Sequence, residues 1–186
     1  MLLIILLVLE TLITSKTRVR LLVKFFINVA NNGHLRGLAD EFNESTNAIR
    51  KELNSLSEAG YLTKVSQQNK INYRANTKHP LFATLQHLVF HYIGLPTLVE
   101  LVLERMGPVQ QVYVTGDYAK GIDSGTLVVV LVGKALREDY IEQLAGKLSK
   151  EIARQVHFTV ATSYSGDGLL VYDGTSAEAD SAIQAD

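Results

Sequence analysis

Thr46, Asn47, Arg50, Lys51 and Asn54 fall on one side of a helical wheel, and Ile49, Leu53 and Leu56 fall on the other. The polar set has the chemistry of a base reader. Arginine can bond bidentately to guanine and asparagine to adenine in the major groove, while threonine and lysine suit methyl or phosphate contacts. The first turn of such a helix enters the groove, so Thr46, Asn47 and Arg50 are the best base-reading candidates. Lys70 and Arg74, with Gln68 and Asn69, follow on a hairpin pattern, where they can touch phosphate or the minor groove. A polar face opposite an apolar stripe is also what any solvated helix shows. The surroundings favour nucleic acid: a short helix, a turn, a longer basic helix and a hairpin in a basic region.

A second group lies at residues 114–124, VTGDYAKGIDS. Gly116, Asp117, Lys120, Asp123 and Ser124 are its candidate ligand-binding residues, on the strength of a family resemblance. His87 and His91 are four apart on a helix and can share a metal. No third ligand is near them, and a solvated or dimer-interface role is preferred. Asp117, Asp123 and Asp167 can hold a cation only if they converge, and Gly166-Asp167-Gly168 reads more simply as a turn. His157, Ser163 and Asp167 form no recognisable hydrolase arrangement. No catalytic residue, metal ligand or cofactor is expected.

The elements that position the first group are legible from periodicity. Thr14 or Ser15 caps a helix that runs to about residue 28; Val19, Leu21, Leu22, Phe25 and Phe26 form its stripe, with Lys16, Arg18, Arg20 and Lys24 largely off it. Asn31-Asn32-Gly33 breaks it. Leu35, Leu38, Ala39 and Phe42 mark a short helix over 34–42. Ser45 caps the next helix, over 45–59, by accepting a free first-turn amide, and Gly60 suits its C-terminus. Strands are predicted at 61–65 and 71–75, with Gln67 to Lys70 at the turn. Two further helices, over 80–93 and 98–106, are separated by Gly94 and Pro96. From residue 109 the pattern becomes strand (109–115), glycine turn, strand (127–132), helix (139–154), strand (156–162) and strand (168–172). The strand at 127–132 is apolar throughout, so both of its faces should be covered.

The chain has 186 residues, enough for one large domain or two small ones. It has no cysteine, which excludes disulfides and thiolate metal sites, and nothing points to secretion. The net charge of −1 conceals an asymmetry. Residues 15–79 carry 11 Lys+Arg and 5 Asp+Glu, a net of +6; residues 80–186 carry 7 and 13, a net of −6. A basic half calls for a polyanion partner. Residues 1–9, MLLIILLVL, are too few to span a bilayer, which takes ~20 residues, and lack a signal peptide's flanks. They read as a buried helix or strand, a dimerisation segment, or the product of a start codon placed too far upstream. The preferred reading is a helix toward Leu12 packed on the body or on a second subunit. Residues 175–186 are small, acidic and aperiodic and read as a disordered tail.

Residues 11–79 resemble the winged-helix heads of ArsR-like and MarR-like bacterial transcription regulators, through LRGLADEF, STNAIRKELNSLSEAGYL and the NKINY hairpin. The resemblance implies a homodimer on palindromic double-stranded DNA. The cysteine-based metal sensing that names the first family does not carry over. Residues 114–124 are similar to the opening of the minimal nucleotidyltransferase fold, in which a strand ends in Gly-Ser, followed by Tyr-Ala-Arg-Gly and an Asp-x-Asp on the next strand. Here Asp117 stands for that serine, and Gly125-Thr126-Leu127 stands where both metal-binding carboxylates would be. Asp123 sits where the family has a preceding loop acid, and one carboxylate cannot replace two.

The expected fold class is α+β: a winged helix-turn-helix at 11–79, a helical linker and dimerisation segment at 80–107, and a small nucleotidyltransferase-like domain at 108–174. The expected function is that of a cytoplasmic, DNA-binding transcription regulator. It would act as a homodimer, independently of membranes, and its inactive second domain would sense a nucleotide or bind a protein. The candidate DNA-binding residues are Ser45, Thr46, Asn47, Arg50, Lys51, Asn54, Asn69, Lys70 and Arg74. The alternatives are an active nucleotidyltransferase targeted by a winged-helix docking module, and an interaction protein whose winged helix binds another protein.

Overall fold

The Ser15 hydroxyl accepts the Arg18 N–H, and helix α1 (Lys16–Phe26) begins behind it. The computed structural model describes residues 13–67 and 69–175. The apolar run at 1–9, Gln68 and residues 176–186 lie outside the described residues, and with them the expectations for a packed N-terminal helix and a disordered tail. The fold is mixed α+β, with two separate sheets. The chain divides into two compact units, the first taking in residues 13–92 with 120–123, the second 93–119 with 124–175. The helix pair read as one linker is thereby split, its first helix joining the first unit and its second helix the second. Among the described residues no helix is long and apolar enough to cross a membrane.

In the first unit α1 is followed by β1 (Asn32–His34), α2 (Leu35–Phe42), α3 (Thr46–Glu58), β2 (Leu62–Gln67), β3 (Lys70–Ala75) and α4 (Phe82–Ile93), which ends at the unit boundary. Leu21, Leu22, Phe25 and Phe26 of α1 meet Leu38, Ala39 and Phe42 of α2 and Ile49, Leu53 and Leu56 of α3 in one core. The helix ends form as their residue types dictate. Ser45 Oγ accepts the Ala48 N–H at 3.2 Å, Asn43 takes the left-handed conformation between α2 and α3, and Gly60 (φ +81°) ends α3. β2 and β3 pair antiparallel from Leu62↔Ala75 to Gln67↔Lys70, a turn two residues tighter than expected.

Two expectations fail here. The Asn31-Asn32-Gly33 break holds a short strand, β1, which pairs antiparallel with β3 and completes a sheet of order β1-β3-β2. Its residues have no strand preference of their own; the free edge of β3 supplies the hydrogen-bonding partners. Lys24 is off the α1 stripe in register yet only 7% exposed. Its ammonium donates to Glu41 Oε2 at 2.9 Å and to the Lys120 carbonyl at 3.0 Å, which makes that burial tolerable.

In the second unit α5 (Leu95–Arg105) starts after Gly94, held at φ +90°, with Pro96 in its first turn. It is followed by β4 (Val109–Thr115), a one-turn helix α6 (Gly116–Ala119), β5 (Thr126–Gly133), a 3₁₀ turn (Glu138–Tyr140), α7 (Ile141–Glu151), β6 (Gln155–Ala161) and β7 (Leu169–Asp173). The sheet order is β6-β5-β4-β7, with β5 and β6 parallel across α7 and the other pairs antiparallel. Residues 129–133 of the central strand β5 are all buried, as an unbroken apolar run requires when both faces are covered. The helix expected to reach Arg154 stops at Glu151, because Ala153 (φ +54°) turns left-handed and reverses the chain into β6.

Candidate nucleic-acid interface

Helix α3 is held from behind by its apolar face: Ile49 and Leu53 are fully buried. Its other face is open, and Thr46, Asn47, Arg50, Lys51 and Asn54 are all exposed, as is the cap residue Ser45. Asn47 Oδ1 accepts a bond from Arg50 Nη1 at 3.1 Å, so two of the base-reading candidates are coupled across one helical turn.

Beside α3 the β2–β3 hairpin leaves a groove of about 770 Å³. Arg50 and Asn54 line it from α3, and Asn69 and Lys70 line it from the hairpin, so four of the sequence-derived candidates converge. Three polar residues that sequence reasoning missed join them: His34 and Arg36 at the start of α2, and Lys64 on β2. Lys64 lies directly across from Tyr73, its ammonium 5.8 Å from the ring centroid. Strand alternation and the cross-strand pairing with Tyr73 are enough to find it. Arg36 has no such signal, since only the tertiary placement of α2 carries it to the hairpin. Arg74 is not brought into this groove. It lines another recess, with Asn32, Val65, Asn72 and Tyr73.

The start of α2 is built around an unusual cap. His34 Nδ1 accepts the Gly37 N–H at 3.0 Å, and a Cβ on Gly37 would lie 2.9 Å from the imidazole. A glycine inside an eight-residue helix is thus explained by the ring packed against it.

The charge of the unit is sorted by ion pairing. Arg18 Nε meets Glu52 Oε2 at 2.7 Å, Arg20 Nη1 meets Glu44 Oε1 at 3.0 Å, and Lys24 meets Glu41. Ser15 Oγ also donates to Glu52, and Thr17 to Glu44. The basic residues of α1 are therefore largely neutralised by carboxylates of α2, α3 and the turn between them. The groove residues Arg36, Arg50, Lys64 and Lys70 form no ion pair among the described residues, and no carboxylate lines the groove.

The second candidate group is separated. Gly116, Asp117 and Ser124 are exposed in the second unit, whereas Lys120 and Asp123 belong to the first. Asp123 lies in a cleft of about 620 Å³ with Lys16, Arg20 and Tyr92. Tyr118, read as part of the ligand motif, is fully buried; its hydroxyl accepts from Gly125 N–H at 3.2 Å and from Arg154 Nε at 2.8 Å. Leu127, at the second carboxylate position of the motif, is also fully buried. His87, His91 and His157 are exposed, and among the described residues no three or more metal-binding side chains lie together.

No protein-family model, curated protein or solved structure matches this chain.

Proposed function

We propose that the chain is a cytoplasmic DNA-binding transcription regulator whose first unit is a winged helix-turn-helix. Helix α3 reads the major groove and the β2–β3 hairpin is the wing. The observation that carries this reading is the carboxylate-free groove in which Arg36, Arg50, Lys64 and Lys70 converge, while the unit's basic α1 is neutralised from within. Phosphate contacts from Lys51, Lys70 and Arg74 position the head, and Asn47 and Arg50 read bases. The protein acts as a homodimer through the helices at 80–107. In favour of this, Leu81 is 47% exposed, and Phe82, Leu85, Leu88 and Phe90 of α4 remain half-buried.

The second unit is a nucleotidyltransferase-like module without catalysis, serving as a sensor or partner-binding domain. Two-metal phosphoryl transfer needs paired carboxylates, and Gly125, Thr126 and Leu127 stand at their positions.

The test is a mobility-shift titration of the full chain on random-sequence duplex, repeated over a range of salt, followed by selection of preferred sites. Binding that weakens steeply with salt, and selected half-sites about one helical turn apart, are the expected results. Failure to bind any duplex at low salt would overturn the reading in favour of a protein-docking head. Incubation with labelled nucleoside triphosphates and Mg²⁺ tests the second unit. Label transfer abolished by Asp123→Ala would make it an enzyme.

A further inference from the structure

Ile71 is 50% exposed, more than any other large apolar residue of the first unit among those described. Its surroundings make this exposure informative. Strand alternation puts Ile71 and Tyr73 on one face of β3, and the pairing puts Ser66 and Lys64 opposite them on β2. Ile71 and Tyr73 thereby give the groove an apolar floor, and Arg36, Arg50, Lys64 and Lys70 give it a cationic rim. Half of the Ile71 surface is left in water amid cations, where a threonine would suit the same strand position.

We infer that Ile71 seats the apolar surface of a nucleotide, either deoxyribose or the thymine methyl, while the rim cations hold the adjoining phosphates. The inference rests on the DNA-binding reading above and adds to it a contact that carries no charge. The match is chemical. A DNA strand presents anionic phosphate next to apolar sugar along its length, and apolar side chains are used at such surfaces alongside arginine and lysine. The free charge on the rim selects this polyanion over a neutral apolar ligand. Because Ile71 neutralises no phosphate, its contribution has a signature of its own: it changes affinity without changing the dependence on salt.

The experiment compares the full-length wild-type chain with Ile71→Thr and Ile71→Val on alternating dA·dT and dA·dU duplexes, by fluorescence anisotropy over a salt series. Both variants keep a β-branched side chain, and thermal melting verifies that they fold. Ile71→Thr is expected to bind about fivefold more weakly, at an unchanged salt slope, with Ile71→Val restoring most of the loss. Equal loss on the two duplexes assigns the contact to deoxyribose; loss confined to dA·dT assigns it to the thymine methyl. Wild-type affinity of Ile71→Thr on both duplexes, or a lower salt slope, would overturn the inference while leaving DNA binding intact. A wild-type chain that binds neither duplex at low salt would instead overturn the reading on which it rests.

Discussion

Arg50 and Lys70 line the same groove but are assigned opposite tasks, and substitution separates them. Arg50 is on α3, exposed and hydrogen-bonded to Asn47, and is the residue proposed to meet a base edge. Arg50→Ala should reduce the free-energy gap between a selected site and random duplex by ~1–3 kcal/mol if its contact is bidentate. Competition binding measures this, and an unchanged ratio would move base reading to other residues. Lys70→Ala should weaken binding to all sequences alike and lower the salt slope by about 0.9, the share of one phosphate. An unchanged slope would place Lys70 outside the phosphate footprint. Both residues were legible in the sequence, Arg50 because helical period fixes which side chains share a face and Lys70 because it was read at the hairpin turn. Arg36 was not, since its role depends on a three-residue strand, Asn32–His34, whose composition argues against any strand.

At the scale of elements, α1 is a scaffold and not part of the electrostatic footprint that its composition suggests. Its Ser15 and Arg18 converge on Glu52 of α3, a carboxylate whose side chain is only 9% exposed. This clamp holds the reading helix from its hidden side. Glu52→Ala would leave both donors without their acceptor, and should cost about 1–3 kcal/mol of stability. Urea denaturation would show this as a lower midpoint at constant slope, and discrimination between DNA sites would be retained because the outer face of α3 is untouched. A midpoint equal to that of the wild type would show that the clamp is not stabilising. The longer helices and strands followed from periodicity, the short strand β1 did not, and neither did the pairing between distant charges. The four cations of α1 were countable in the sequence; which carboxylates face them is decided by how three helices cross.

For the whole molecule, most of the order of elements could be read from hydrophobic period, which changes near residue 109; the division into units could not. Contacts assign α4 to the first unit and α5 to the second, and residues 120–123 to the first although they lie within the sequence of the second. Tertiary contact decides such membership, and a run of polar and glycine residues carries no mark of it. The dimer reading is tested at this scale. Leu81→Lys places a charge on an exposed leucine that the fold does not need. Sedimentation velocity should show a shift from dimer toward monomer, with DNA affinity falling by about a hundredfold as the second head is lost. A variant that sediments as the wild type does would exclude Leu81, just ahead of α4, from the subunit contact.

The His34 cap has a consequence for what the groove offers a ligand. A neutral imidazole carries one proton, and a ring that accepts the Gly37 N–H through Nδ1 must keep that proton on Nε2. The helix end thus selects the tautomer. Among the arginines and lysines around it, His34 in this cap has one ring N–H, at Nε2, to give. It can bond one acceptor atom at a defined angle, where an arginine offers a fork of five N–H donors and a lysine three.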